Sequence, residues 1–136
     1  MRPSRLRSFI DSHPLVHYLV VRFLRWRGRN SPCVFCEIIK GRAPERVLYR
    51  DDLVTAFRDA HPAASTHILI VPNRHIESLN ALLPGDEILG GHLLLIARKL
   101  AQAENILAGG YSLTINTGLH AGQTVFHLHI HLKSIT

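Results

Sequence analysis

The segment His127-Leu128-His129-Ile130-His131-Leu132 sets three imidazoles in strict alternation with apolar residues. In a β-strand successive side chains point to opposite faces, so the three imidazoles share one face while Leu128, Ile130 and Leu132 turn towards a core. Imidazole is the side chain that can act near neutral pH as nucleophile, acid, base or metal ligand. Two chemistries fit three on one face. One is a three-histidine metal site whose open position activates water. The other is nucleophilic catalysis, with one imidazole attacking and a neighbour setting its tautomer.

The only two cysteines form the pair Cys33-Val34-Phe35-Cys36, half the ligand set of a tetrahedral zinc site. His75 follows the strand end Val71-Pro72 and is a candidate third ligand, with His127 as the fourth. The alternative for the pair is two buried free thiols. A single pair does not make a disulfide framework, so a reducing compartment is expected. The turn running from Thr117 to Thr124 leads into the histidines. Gly118 and Gly122 permit close backbone approach to a ligand, and Gln123 and Thr124 add donors for phosphate oxygens.

The elements that must carry these groups follow from pattern and punctuation. A short helix is expected from Phe35 to Lys40, stopping at Gly41. Val47–Tyr49 and Leu53–Phe57 read as a hairpin, with a loop at Asp59–Pro62. His67–Val71 is a β-branched run closed by Pro72, a buried strand. Pro84-Gly85-Asp86 opens a long helix, with apolar positions at Ile88, Leu89, Leu93, Leu95, Ile96 and Leu100, that ends near Glu104. Tyr111–Asn116 is a strand, and the histidine strand follows. This order predicts an α+β domain with a mostly antiparallel sheet, one long helix and one short one.

At 136 residues the chain fits one domain with a real core. Residues 1–30 carry seven arginines (2, 5, 7, 22, 25, 27 and 29) against the one acid Asp11. They account for the whole formal charge of +6 and leave residues 31–136 neutral. No nucleic-acid-binding surface is therefore expected on the domain. Gly28–Pro32 reads as a linker between a basic extension, 1–30, and a domain, 31–136. Leu15, Val16, Leu19, Val20, Phe23 and Leu24 recur at helical spacing, the pattern of an amphipathic helix or an arginine-rich transit segment. A cytoplasmic protein is expected, or a mitochondrial one if residues 1–30 are a transit segment. Membrane contact, if there is any, falls to the extension.

Across residues 32–132 the chain resembles the histidine-triad (HIT) family of nucleotide hydrolases and transferases. The matching segments are Cys33–Ile39, Ala56–Asp59, Thr66–Pro72 with His75, Asn116-x-Gly118, and Gly122–Phe126 leading into His127-x-His129-x-His131. It is most similar to the small Hint-like branch in its zinc-carrying form. The resemblance implies a HIT-like fold and attack by His129 on the α-phosphate of a purine nucleoside phosphoramidate or dinucleoside polyphosphate. His131 would assist the leaving group and His67 would be the fourth active-site histidine. The carbonyl of His131 would orient His129. Asp59 would accept the ribose hydroxyls, Phe35, Ile38, Phe57 and Ala60 would hold the base, and Asn116, Gly122, Gln123 and Thr124 would hold the phosphate. Structural zinc would sit on Cys33, Cys36, His75 and His127, and the protein would be a homodimer. Two departures stand out: Lys133 occupies a position the family fills with an apolar residue, and the C-terminus is shorter than in relatives. These features favour, as the competing reading, a catalytically weak nucleotide-binding module.

Overall fold

The computed structural model describes residues 15, 18, 19, 22, 23 and 32–135. The chain divides into two units, Met1–Pro32 and Cys33–Thr136. In the first, Leu15, Tyr18, Leu19, Arg22 and Phe23 are helical, and the Arg22 guanidinium donates to the Tyr18 hydroxyl at 3.2 Å. The other apolar positions and arginines of the expected amphipathic segment lie outside the described residues. Among the described residues no helix is long and apolar enough to cross a membrane.

The second unit runs α1 (Val34–Ile39), β1 (Val47–Arg50), β2 (Val54–Arg58), β3 (His67–Pro72), α2 (Glu87–Ala103), β4 (Tyr111–Thr114) and β5 (Ile130–Ser134). The five strands form one antiparallel sheet in the order β1-β2-β3-β5-β4. Asp51 makes the β1–β2 hairpin turn: its Oδ1 accepts from the backbone N–H groups of Leu53 and Val54, both at 2.8 Å. Its Oδ2 takes Tyr49 Oη and His92 Nε2, which ties the hairpin to α2.

Both faces of the sheet are covered: β2 and β3 are buried almost throughout, and β5 alternates buried with half-buried residues. Val54, Ala56, Ile68, Ile70, Leu128, Ile130 and Leu132 pack against Leu89, Leu93, Ile96, Ala97, Leu100 and Ala101 of α2. The buried positions of α2 follow the i, i+4, i+7 rhythm of one helical face. On the opposite face Phe35 and Ile38 of α1 cover Phe57, Leu69 and Val71.

The expected α+β architecture is present, with one shift at the histidine segment. The ladder begins only at Ile130, paired with Ile70, so His127 and His129 precede β5 and only His131 lies within it. The register would next pair Leu128 with Pro72, which has no N–H to offer. The Leu128 N–H instead donates to the Ile76 carbonyl at 2.6 Å. The alternation of faces survives, since Leu128, Ile130 and Leu132 all reach the α2 core. The expected strand Tyr111–Asn116 likewise ends at Thr114.

Leu132 is fully buried between the sheet and α2. Replacing it with alanine should cost about 2–5 kcal/mol, from lost transfer energy plus a cavity. Urea unfolding followed by far-ultraviolet circular dichroism measures this, and a cost under about 1 kcal/mol would remove Leu132 from the core.

Candidate functional site

Four histidines on the α1 face are fixed in tautomer by groups whose hydrogen-bond roles are unambiguous. The Ala63 N–H donates to His67 Nδ1 at 3.0 Å, so neutral His67 carries its proton on Nε2. That Nε2 lies 2.8 Å from His131 Nδ1, which accepts from it, and 3.3 Å from Asp59 Oδ2. His131 is thereby left with its proton on Nε2. His129 Nδ1 donates to the His127 carbonyl at 2.7 Å, which leaves a lone pair on His129 Nε2. His127 Nε2 donates to the Pro72 carbonyl at 2.8 Å, which leaves a lone pair on Nδ1. His129 is therefore oriented by the carbonyl of His127 and not, as expected from the sequence, by that of His131. In the extended chain the ring folds back over the carbonyl two residues earlier.

All four imidazoles are held neutral at pH 7. Burial comes first in each case, lowering His67 and His129 below the ordinary histidine value. It pushes His131 down to about 4, helped by the neighbouring His129, His67 and Lys133. His127 is likewise pushed down to about 4, against the opposing effect of its hydrogen bond to Pro72. A neutral imidazole with its lone pair aimed by a carbonyl is a competent nucleophile.

The ligand atoms of Cys33, Cys36, His75 and His127 lie within 4.8 Å of one another. Cys33 Sγ to His127 Nδ1 is 3.4 Å, Cys36 Sγ to His75 Nδ1 is 3.3 Å and to His127 Nδ1 3.6 Å, and the two Nδ1 atoms are 3.2 Å apart. Metal–sulfur bonds of about 2.3 Å and metal–nitrogen bonds of about 2.0–2.1 Å give tetrahedral edges of roughly 3.6 Å (S–N) and roughly 3.3 Å (N–N), so the four groups could hold one ion. The Pro72 carbonyl supplies the outer contact that a ligating histidine normally has. Burial and the adjacent Cys33 raise the Cys36 thiol to about 11, a penalty on the thiolate that a bound cation would reverse.

Asp59, His67 and His131 also cluster, but as a hydrogen-bonded array. An ion on His67 Nε2 would displace the proton there while Nδ1 is still accepting from Ala63, which would require an imidazolate. Nor do the three triad imidazoles converge on a single point: among the described residues no group of possible ligands contains His127, His129 and His131 together. The three-histidine metal reading is corrected accordingly.

Phe35 packs edge-on to His129 with ring centroids 5.1 Å apart and to Phe57 at 5.2 Å. With Ile38 these residues are buried as an apolar wall beside the histidines, while Ala60 is exposed. Asp59 accepts the His61 N–H at 2.8 Å, which sets its carboxylate next to His67. In the glycine turn, Gly118 (φ +85°) and Gly122 (φ +87°) adopt backbone conformations that disfavour a Cβ. Asn116 Nδ2 crosses the turn to the Ala121 carbonyl at 2.8 Å. Gln123 is buried; its amide donates to the Glu77 and Val125 carbonyls and accepts from the Gly118 N–H. Gln123 therefore shapes the turn, and Thr124 is exposed beside it. The groups that sequence reasoning missed are mostly backbone: the Ala63 N–H and the His127 and Pro72 carbonyls. Among the described residues the buried Thr117 hydroxyl has no hydrogen-bond partner.

The family described as "scavenger mRNA decapping enzyme C-term binding" matches residues 32–136. The chain is 46% identical over 99 residues to the purine nucleoside phosphoramidase of Escherichia coli (strain K12), covering 73% of this chain and 83% of that protein. It is 46% identical over 103 residues to an uncharacterized HIT-like protein of Synechococcus elongatus, covering 76% and 90%. A HIT family hydrolase from Legionella pneumophila Philadelphia 1 superposes with a TM-score of 0.74 at 41% identity, covering 77% of this chain and 94% of that one. A histidine triad protein from Clostridium difficile superposes with a TM-score of 0.73 at 35% identity, covering 76% and 90%.

The low proton affinity of His131 has a consequence for stability. Between its folded value of about 4 and the ordinary value of 6.5, the unfolded chain binds more protons than the folded one. Stability should therefore fall as pH drops through this window. Urea unfolding at pH 7, 6, 5 and 4.5 should show that fall in the wild type and a shallower one in His131→Gln. Equal slopes would contradict the assignment.

Proposed function

The chain belongs to the histidine-triad family, and from that premise we propose that it hydrolyses purine nucleoside phosphoramidates or dinucleoside polyphosphates at the α-phosphate. The observation that carries the reading is the bond from His129 Nδ1 to the His127 carbonyl, which leaves His129 Nε2 as an aimed lone pair. In the first step His129 Nε2 attacks the α-phosphorus and the bond to the leaving nitrogen or oxygen breaks. The His131 Nε2–H donates a hydrogen bond to the leaving atom, which takes its proton from solvent. His67 Nε2–H, donated to His131 Nδ1, holds His131 in that tautomer. In the second step water attacks the nucleotidyl-histidine and gives up its proton to solvent, and His129 is released as the neutral imidazole. In this reading Asp59 takes the ribose hydroxyls, Phe35 lies against the base, and the glycine turn faces the phosphate. The 46% identity to a purine nucleoside phosphoramidase supports this substrate class.

The metal in this reading is zinc on Cys33, Cys36, His75 and His127. With all four positions filled by protein it is structural, and what it supplies is the anchoring of His127. A homodimer is part of the same proposal. The exposed Ile88, Leu94 and Leu95 on α2, together with the edge strand β4, support it.

Single-turnover hydrolysis of an adenosine phosphoramidate, with intact-mass detection, tests the chemistry. The wild type should accumulate an adenylylated protein. His129→Ala should form none and lose at least about 10³-fold in rate. Nucleotide binding without adduct or turnover would replace the enzyme with a binding module.

Elemental analysis of purified protein should find about one zinc per chain. A strong chelator, or Cys36→Ser, should lower the melting temperature and remove that zinc. Full metal content in Cys36→Ser would break the proposed ligand set.

A further inference from the structure

The register of the sheet lays out two rows of side chains across the histidine face. In the first, Asp59 extends β2 by donating its N–H to the His67 carbonyl at 3.0 Å, His67 pairs with Lys133 on β5, and Lys133 pairs with Ser112 on β4. In the second, Phe57, Leu69, His131 and Thr114 stand opposite one another. Residues directly opposite in an antiparallel ladder share a face. Lys133 is therefore on the reactive face, as the alternation of buried and half-buried residues along β5 also requires.

The two ends of these rows differ in chemistry. The β2 end holds the Asp59 carboxylate and the buried rings of Phe57 and Phe35. The β4 end holds a lysine ammonium and the hydroxyls of Ser112 and Thr114, with no carboxylate among its strand partners. Two strand spacings, about 10 Å, separate Asp59 from Lys133, with His67 between them. Among the described residues Lys133 makes no ion pair, so its charge is not spent within the fold.

We propose that Lys133, with Ser112 and Thr114, forms a leaving-group subsite that selects substrates whose leaving group carries an anionic oxygen, a carboxylate or a phosphate. The inference rests on the hydrolase reading above. That reading puts the ribose on Asp59 and the reacting phosphorus at His129 and His131. The departing group must then extend away from Asp59, towards β4. Lys133 stands opposite His67 and next but one to His131 along β5, and it lowers the proton affinity of both, which puts its charge near the leaving group to which His131 Nε2–H donates. A cation here also stabilises the negative charge of a departing carboxylate-bearing amine or phosphate.

The test compares two adenosine phosphoramidates that differ by one carboxylate, those of alanine and of ethylamine, with adenosine diphosphate as the phosphate-leaving arm. In the wild type, kcat/KM for the alanine substrate should exceed that for the ethylamine substrate by about 10-fold, the worth of one charge-assisted hydrogen bond. Lys133→Leu should erase the ratio by slowing the alanine substrate more than the ethylamine one, Lys133→Arg should keep it, and rising salt should shrink it. A parallel Lys133-dependent gain for adenosine diphosphate would identify a general anion subsite, and its absence a carboxylate subsite; both support the proposal. Turnover with a ratio unchanged in Lys133→Leu overturns it and leaves the hydrolase reading standing. If nothing is turned over the hydrolase reading fails, and calorimetric affinities of the same pair then decide: a preference lost in Lys133→Leu supports the subsite, and equal affinities overturn it.

Discussion

The hydrogen bond from His129 Nδ1 to the backbone carbonyl of His127 is the constraint on which the rest of the site depends. It fixes which nitrogen of His129 holds the lone pair, and it can do so only if the His127 carbonyl stays in place. His127 is held at both ring nitrogens: Nε2 to the Pro72 carbonyl and Nδ1 within the cysteine–histidine cluster. One residue thus joins the cysteine–histidine cluster to His129. A site assembled this way costs little reorganisation at the moment of reaction, because its dipoles are set by folding.

Pro72 has a matching double role. Without an N–H it ends the β3–β5 ladder, which frees Leu128 to bond Ile76 and lets His127 and His129 leave the regular strand. Its carbonyl then receives the His127 ring. The core on the other face tolerates the interruption because Leu128, Ile130 and Leu132 still alternate into α2. Packing against α2 holds the segment in position, and the local loss of ladder bonds gives the imidazoles their individual partners.

Electrostatically the face is ordered from acid to base. Asp59 lies at one side of His67 and Lys133 at the other, with the neutral imidazoles between them. Burial keeps those imidazoles uncharged, so the fixed charges at the two ends are not blurred by partial protonation in the middle. Residues 31–136 are neutral overall, and their polarity is local.

The sequence by itself determined the element order, the two-faced histidine segment and the candidate ligands, because these follow from short-range periodicity: alternation at 127–132, the Cys-x-x-Cys spacing and the apolar rhythm of α2. His67 and Asp59 were legible only through resemblance, since no local pattern marks them and the ring that His67 meets, His131, lies 64 residues away in the chain. The tertiary structure alone decided which nitrogen of each histidine carries a proton. Those assignments depend on backbone groups, the Ala63 N–H and the Pro72 and His127 carbonyls, which nearly every residue type offers alike and no sequence pattern distinguishes. It also decided that Gln123 turns inward to its own loop, and that Lys133 stands across from His67. Register is a property of two strands meeting, and one strand's sequence does not contain it.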